Sequence, residues 1–124
     1  MNVEQYSMKL ILHAGNAKNY MYEALEHARE ASFDQVEGKM KLADSELLQA
    51  HQIQTSFIQE DAREQIGSYP VILVHAQDHL MTVMTEKNLI GELIMMYEKQ
   101  HEIERKLDGV VEKVVEIQKA EKIN

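Results

Sequence analysis

The fold is decided by the stretch LILHAGNAKNYMYEALEHAREA, residues 10–31. Its apolar residues recur at alternating three- and four-residue spacings, as the following series shows: Leu10, Ala14, Ala17, Met21, Ala24, Ala28 and Ala31. This spacing is typical of one face of an amphipathic helix. Most members of the series are alanine, so a neighbouring helix can approach closely. The stretch therefore predicts a first helix over residues 4–31 with one buried face.

A second helix is predicted to follow a break at residues 31–34. Asp34 has the character of an N-cap, and Glu37 three residues later completes a capping-box pattern. The apolar series continues at helical spacing through Val36, Met40, Ala43, Leu47, Ala50 and Phe57. The pattern fades between residues 62 and 66, where we expect this helix to end.

A third helix is predicted after the loop Gly67-Ser68-Tyr69-Pro70. Proline suits the first turn of a helix, where its missing N–H is not needed. The apolar series then runs to about Leu107 through Ala76, Leu80, Val83, Ile90, Ile94 and Tyr97. Further apolar residues lie off this series at Leu89, Leu93 and Met96. A helix that is apolar over a wide arc usually buries a second face, which predicts a homo-oligomer.

Three long helices with short connections predict an all-α fold, an antiparallel up-down-up three-helix bundle. We assign residues 1–107 to this bundle. Asp108-Gly109 is interpreted as a break, and residues 108–124 as a C-terminal extension that is helical or a mobile tail. Its valine content leaves a strand open, although the apolar spacing favours a short amphipathic helix.

Composition narrows the classes of function. The chain has 124 residues, no cysteine, and 21 acidic against 13 basic residues, a formal net charge of −8. The negative charge argues against nucleic acid or an anionic membrane surface as a partner. The lack of cysteine excludes disulfides, thiolate zinc sites and thiol nucleophiles. We expect a cytoplasmic protein, since neither a secretory signal nor a membrane span is visible in the sequence.

The chemically informative stretch is VILVHAQDHLMT, residues 71–82. His75, Asp78 and His79 are spaced i, i+3, i+4 and share one face of a helix. Thr82 and Glu86 extend this polar face by further turns. Spacing alone leaves three interpretations open: a solvated polar face, a transition-metal site, or a histidine that attacks a phosphoryl donor. A zinc protease is disfavoured because the pattern lacks the glutamate of H-E-x-x-H.

The residues of this stretch resemble the lactose/cellobiose-specific enzyme IIA family of the bacterial sugar phosphotransferase system. Residues 74–82, VHAQDHLMT, match the histidine signature of that family as they stand. Residues 11–18, ILHAGNAK, resemble its H-x-G-N-A-[RK] segment, and residues 22–25 and 50–55 also resemble family positions. The resemblance covers roughly residues 3–105. The segment from Asp108 onward departs from the family by continuing past its expected end.

The resemblance implies a phosphocarrier that assembles as a homotrimer. The histidine-containing phosphocarrier protein would donate a phosphoryl group to a histidine, which would pass it to a cysteine of enzyme IIB. The membrane-embedded IIC component would take up a β-linked disaccharide of the lactose, cellobiose or chitobiose class. Contact with the membrane would therefore be indirect. The alternative is a trimeric helical scaffold or binding module that has lost phosphotransfer.

The resemblance also assigns the candidate site residues. His75 is the expected phosphorylated residue, attacking through Nε2 while a hydrogen bond holds Nδ1–H. His79 and Gln77 are supporting candidates, with Gln77 reaching a phosphoryl oxygen across a subunit boundary. Asp78 matches the family's metal ligand on the trimer axis. Three converging carboxylates would suit a structural Mg²⁺, since this cation prefers an all-oxygen shell.

Overall fold

The computed structural model describes residues 2–123 and contains three α-helices: α1 (Val3–Arg29), α2 (Phe33–Glu64) and α3 (Val71–Ile123). No strand occurs among the described residues. The predicted all-α class with three helices is confirmed. The outermost residues of the two predicted segments, Met1 and Asn124, lie outside the described range.

The alanine-rich stripe of α1 forms the centre of the core. The side chain of Asn2 caps the helix, accepting a hydrogen bond from the Gln5 backbone N–H at 3.0 Å. The predicted stripe is buried from Leu10 to Ala28. Ala31 is the exception, because it lies beyond the end of α1, is exposed, and has a left-handed φ of 61°. The stripe therefore ends one helical turn earlier than the spacing predicted.

The connection between α1 and α2 differs from the predicted capping box. Ser32 occupies the N-cap position, and its side chain makes no capping hydrogen bond. Asp34 lies inside the first turn of α2, where its carboxylate still favours the positive end of the helix dipole. Glu37 instead pairs with Lys41 at 3.1 Å. The capping-box prediction was wrong by two residues, although α2 ends at Glu64, within the predicted range.

Polar and aromatic contacts give the order in which the helices meet. Along α1, the residues Tyr6, His13 and Glu23 meet Phe57, Glu46 and Lys39 of α2, in that order. The numbers fall along α2 as they rise along α1. Against α3, by contrast, Tyr22 meets Glu86 and Arg29 meets Tyr97, so both series rise together. Helix α1 packs against both of the other helices, which touch each other little.

Helix α3 continues without interruption through Asp108-Gly109, so the predicted break is wrong. A single glycine inside a helix costs only about 1 kcal/mol relative to alanine. Asp108 and Val110 next to it are weak helix formers, but residues 98–107 before them are rich in Glu, Lys and Arg, which favour a helix. Residues 108–123 are therefore part of α3, which at about 1.5 Å per residue is roughly 80 Å long. No helix within residues 2–123 is long and apolar enough to cross a membrane.

Candidate functional site

The histidine motif lies in the first three turns of α3. Pro70 immediately precedes the helix, and its carbonyl accepts hydrogen bonds from the backbone N–H groups of Leu73 and Val74. Leu73, Ala76 and Leu80 are buried and fix the face of the helix that packs inward. His75 lies outside that face and is exposed. Its imidazole is therefore accessible to a partner.

His75 and His79 lie side by side on α3. Their ring centroids are 6.2 Å apart, and the ring planes are inclined by only 9°. The prediction that the two histidines share one face is confirmed. His79 is half-buried, whereas His75 is exposed, so the two rings have different access to solvent.

The N-terminal segment that the sequence analysis singled out lies against this motif. A Cβ placed on Gly15 of α1 would be 4.0 Å from His79 Nε2. Gly15 thus brings the backbone of α1 within contact distance of the His79 ring. The His79 ring thus has the backbone of α1 at Gly15 and the ring of His75 as neighbours.

Asp78 and Gln77 do not join the two histidines in a common cluster. Asp78 is exposed, and its carboxylate makes no hydrogen bond or ion pair with another residue of the described chain. Gln77 is half-buried and follows His75 by two positions, a spacing at which helical side chains do not face each other. Within residues 2–123, no three carboxylate or imidazole side chains converge to hold a metal ion. Within residues 2–123 of one copy, Asp78 therefore belongs to no such group of three side chains.

A polar network beside the motif links α1 to α3. The Tyr22 hydroxyl donates a hydrogen bond of 2.6 Å to Glu86 Oε2, and Lys18 Nζ lies 3.6 Å from Glu86 Oε1. Lys18 also lies 6.0 Å from the centre of the Tyr22 ring. The hydrogen bond to Glu86, together with burial and the carboxylate charge, raises the pKa of Tyr22. The position of Glu86 on the polar face was predicted, whereas its partners Tyr22 and Lys18 were not. The lysine of the H-x-G-N-A-[RK] segment could have indicated one of them.

The other histidines lie apart from His75. His13 Nδ1 is 2.6 Å from Glu46 Oε2 of α2, and both side chains are 19% exposed, so His13 joins α1 to α2. The His101 ring packs 5.6 Å from Phe33. His51 is exposed on α2 and lines an open groove between α2 and α3.

Comparisons with known proteins give one consistent family. Residues 5–98 match the family model of the PTS system lactose/cellobiose-specific IIA subunit. The lichenan-specific phosphotransferase enzyme IIA component of Bacillus subtilis is 38% identical over 97 residues, covering 78% of this chain and 88% of that protein.

Two solved structures share both fold and sequence with this chain. The PTS cellobiose-specific enzyme IIA from Bacillus anthracis superposes with a TM-score of 0.77 at 38% identity, covering 82% of this chain and 93% of the other. The IIA(Chitobiose) protein of the Escherichia coli N,N'-diacetylchitobiose branch, solved in complex with HPr, gives a TM-score of 0.71 at 38% identity. That comparison covers 82% of this chain and 98% of the other.

Proposed function

This chain belongs to the lactose/cellobiose-specific IIA family of the bacterial sugar phosphotransferase system, and on that premise we propose that it is a phosphocarrier acting through His75. The observation that carries the assignment of the residue is the exposure of His75 beside the half-buried His79. A nucleophile that must meet two different proteins in turn has to be accessible. Of the two stacked imidazoles, only His75 meets this requirement.

The proposed reaction is a pair of phosphoryl transfers without a net co-reactant. In the first, the P–N bond of the donor phosphohistidine breaks as a P–N bond forms to Nε2 of His75. In the second, that P–N bond breaks as a P–S bond forms to the cysteine of enzyme IIB. Neutral imidazole attacks through one nitrogen while the proton stays on the other. Positioning and charge neutralisation supply most of the rate in such transfers.

The proposed donor is HPr, the histidine-containing phosphocarrier, as the complex of the related IIA(Chitobiose) with HPr suggests. The formal charge of −8 on this chain favours a partner surface that contributes cations around the phosphoryl group. Lys18 is the basic residue that this chain places beside the polar face of α3, where it pairs with Glu86. Enzyme IIB is the proposed acceptor because the family hands its phosphoryl group to that component.

The chain is further proposed to act as a homotrimer of up-down-up subunits. This topology is supported by the direction of the contacts: as residue numbers rise along α1, those of its partners fall along α2 and rise along α3. The large exposed apolar side chains on α3, such as Leu89 and Met96, support self-association. Asp78 fits a shared structural Mg²⁺, since it is exposed, unpaired within residues 2–123, and supplies the hard oxygen ligand that this cation prefers. Three copies of Asp78 would hold the ion, and the ion would offset their mutual repulsion.

The sugar class proposed is a β-linked disaccharide or oligosaccharide of the cellobiose, chitobiose or lactose type. The related proteins carry names for lichenan, cellobiose and chitobiose. A IIA component has no need to contact the sugar, because the IIC component selects it. The proposed location is the cytoplasm, with the membrane reached only through IIC.

The test is to incubate the protein with phosphoenolpyruvate, enzyme I and HPr, and to measure the intact mass. We expect one acid-labile phosphoryl group per chain in the wild type and none in His75→Ala. His51→Ala, which removes another exposed histidine, is the matched control and should be phosphorylated normally. If the wild type gains no mass while HPr is demonstrably charged, the carrier proposal fails and the alternative of a helical scaffold takes its place.

A further inference from the structure

The loop between α2 and α3, residues 65–70, is held by Asp61 in the last turn of α2. Asp61 Oδ1 accepts a hydrogen bond of 3.0 Å from the Ile66 backbone N–H, and Oδ2 accepts one of 3.2 Å from the Tyr69 hydroxyl. The backbone carbonyl of Asp61 accepts a third, of 2.8 Å, from the Gln65 N–H. One half-buried aspartate therefore contacts the beginning and the end of the loop.

The chain reverses at Gln65 in a conformation that needs such support. Gln65 has a left-handed φ of 50°, which is unfavourable for a residue other than glycine and persists where its surroundings hold it. Asp61 contacts Gln65 and also the residue after it. The hydrogen bond to Asp61, the charge of that carboxylate and burial raise the pKa of Tyr69. The phenol therefore keeps its proton and remains a donor.

The same loop leads directly into the turn of α3 that carries His75. Tyr69 precedes Pro70, whose ring fixes its own φ and restricts the residue before it to extended conformations. The Pro70 carbonyl accepts hydrogen bonds of 3.0 and 3.4 Å from the N–H groups of Leu73 and Val74. His75 follows Pro70 by five positions. The position of Tyr69 is thus passed to the first turn of α3 through a stiff segment.

Direct packing between α2 and α3 gives this turn little support, because the two helices touch each other little. Burial of Leu73 and Ala76 fixes which face of the turn lies inward. The segment that enters the helix also sets where the helix begins. A displacement of about 1 Å at a reacting group can cost up to about a hundredfold in rate, so the loop bears on the transfer step.

We propose that Asp61, acting through Tyr69, is a positioning residue for the imidazole of His75. This role rests on the function proposed above for His75. Asp61 fixes where α3 begins, and thereby where the imidazole lies when the donor has docked. Loss of the Asp61 contacts therefore slows transfer within the docked complex and leaves the affinity for the donor unchanged.

Rapid-quench measurement at increasing concentrations of phosphorylated HPr separates the rate at saturation from the half-saturating concentration. We expect Asp61→Ala to lower the rate at saturation about tenfold and to leave the half-saturating concentration within about twofold. Tyr69→Phe keeps the ring, loses the hydroxyl, and should lower the rate about threefold. The control is Asp44→Ala, which removes another aspartate of α2 that pairs with Lys87 of α3 and should keep both wild-type values.

The conservative variant Asp61→Asn separates geometry from charge. Its amide keeps an oxygen for the Ile66 N–H and presents an NH₂ group to the Tyr69 hydroxyl, so its rate should stay within about twofold of the wild type. A carboxylate that acted by attracting a cationic donor would make Asp61→Asn as slow as Asp61→Ala and would raise the half-saturating concentration of both. That result would overturn the proposal.

The double variant Asp61→Ala/Tyr69→Phe tests whether the two residues act together. It should be no slower than Asp61→Ala, because the hydroxyl has already lost its partner. Losses that multiply would contradict the coupling.

Amide hydrogen exchange reads the helix start without any phosphoryl transfer. The N–H groups of Leu73 and Val74 should exchange faster in Asp61→Ala than in the wild type and at the wild-type rate in Asp44→Ala. Slower transfer with unchanged exchange, or unchanged transfer with faster exchange, would overturn this inference and leave the proposed function intact. A wild type that charged HPr does not phosphorylate would overturn the proposed function, and the role of Asp61 with it.

Discussion

The imidazole rings of His75 and His79 lie nearly parallel one helical turn apart, with their centroids separated by 6.2 Å. His79 is half-buried, and its Nε2 would lie 4.0 Å from a Cβ placed on Gly15 of α1. The exposed ring of His75 thus has the half-buried ring of His79 on one side. From this arrangement we propose that His79 is a positioning residue for His75.

The first prediction follows from this positioning role. We expect His79→Ala to slow phosphorylation by HPr roughly tenfold to a hundredfold, because a misplaced nucleophile costs rate without losing its chemistry. The final mass gain should still be one phosphoryl group per chain. Rapid-quench measurement of the phosphorylation rate would check this. A complete loss of phosphorylation in His79→Ala, combined with retention in His75→Ala, would reverse the two roles.

The second prediction concerns the pair that joins α1 to α2. His13 Nδ1 and Glu46 Oε2 are 2.6 Å apart, and each side chain is 19% exposed. Removing the carboxylate leaves the imidazole without its partner in a largely buried position, so Glu46→Ala should lower the free energy of unfolding by about 1–2 kcal/mol. Urea denaturation would measure this.

The control for that experiment is the exposed pair of Glu37 and Lys41 on α2. Exposed pairs of this kind contribute little, so Glu37→Ala should change the free energy of unfolding by less than about 0.5 kcal/mol. Equal losses in both variants would mean that the bridge between α1 and α2 has no special role.

The third prediction is that the contribution of Tyr22 to the stability of the folded protein depends on pH. Its pKa is raised by the hydrogen bond to Glu86, by burial and by the carboxylate charge. The neutral phenol is therefore favoured in the folded state. The resulting stabilisation is fully present below the ordinary tyrosine pKa of about 10 and is lost as the pH rises through the raised value.

As the pH rises above 10, the free energy of unfolding should therefore fall less for Tyr22→Phe than for the wild type. At pH 8 the difference between them should be below about 1 kcal/mol, because the hydrogen bond is exposed to solvent. Urea unfolding at pH 8 and at pH 11 would separate the two. Unfolding free energies that fall in parallel for both proteins would contradict the role of the Tyr22–Glu86 hydrogen bond.

The three helices could be predicted from the sequence because each carries a long apolar series that has to be buried. The series through Leu10 and Met21 fixed the inner face of α1, and α2 ended where its pattern faded. The break at Gly109 was predicted wrongly because a local turn signal was given more weight than the helix-forming residues 98–107 that precede it. Cross-helix partners such as Glu46 for His13 could not be predicted, since periodicity gives a face but not the axial register of two helices.

The site could be predicted in part for the same reason. The shared face of His75 and His79 follows from their spacing alone. The contact of His79 with Gly15, however, depends on how far α1 and α3 slide along each other, which no local pattern specifies. The choice of His75 as the phosphorylated residue came from the resemblance to the family, and it stays a prediction until the mass measurement is made.

The fourth prediction concerns the backbone at Ala31. This residue has a left-handed φ of 61° at the end of α1, a conformation that costs a non-glycine residue roughly 1–2 kcal/mol. Ala31→Gly should therefore raise the free energy of unfolding by about 0.5–1 kcal/mol. Ala62→Gly, at an exposed position within α2, is the control and should lower it by up to about 1 kcal/mol. If Ala31→Gly does not raise the free energy of unfolding, Ala31 does not keep the left-handed conformation in solution.

The last prediction concerns Asp78 and the proposed ion. Carboxylates that converge near an axis repel one another by up to about 4 kcal/mol per pair at 4 Å and an effective dielectric of 20. A divalent cation removes this repulsion. If the proposed trimer forms around such an ion, we expect a chelator to lower the thermal midpoint of the wild-type protein and added Mg²⁺ to restore it.

Asp78→Asn removes the charge while keeping the size of the side chain. Its thermal midpoint should respond neither to chelator nor to Mg²⁺. Asp44→Asn is the matched control, since Asp44 is an exposed aspartate that already pairs with Lys87, and it should keep the response of the wild type. If the thermal midpoint of the wild type does not respond to chelator, then protons, and not a cation, neutralise the Asp78 carboxylates. The wild-type oligomer should then weaken as the pH rises through the carboxyl range, and Asp78→Asn should abolish that dependence too.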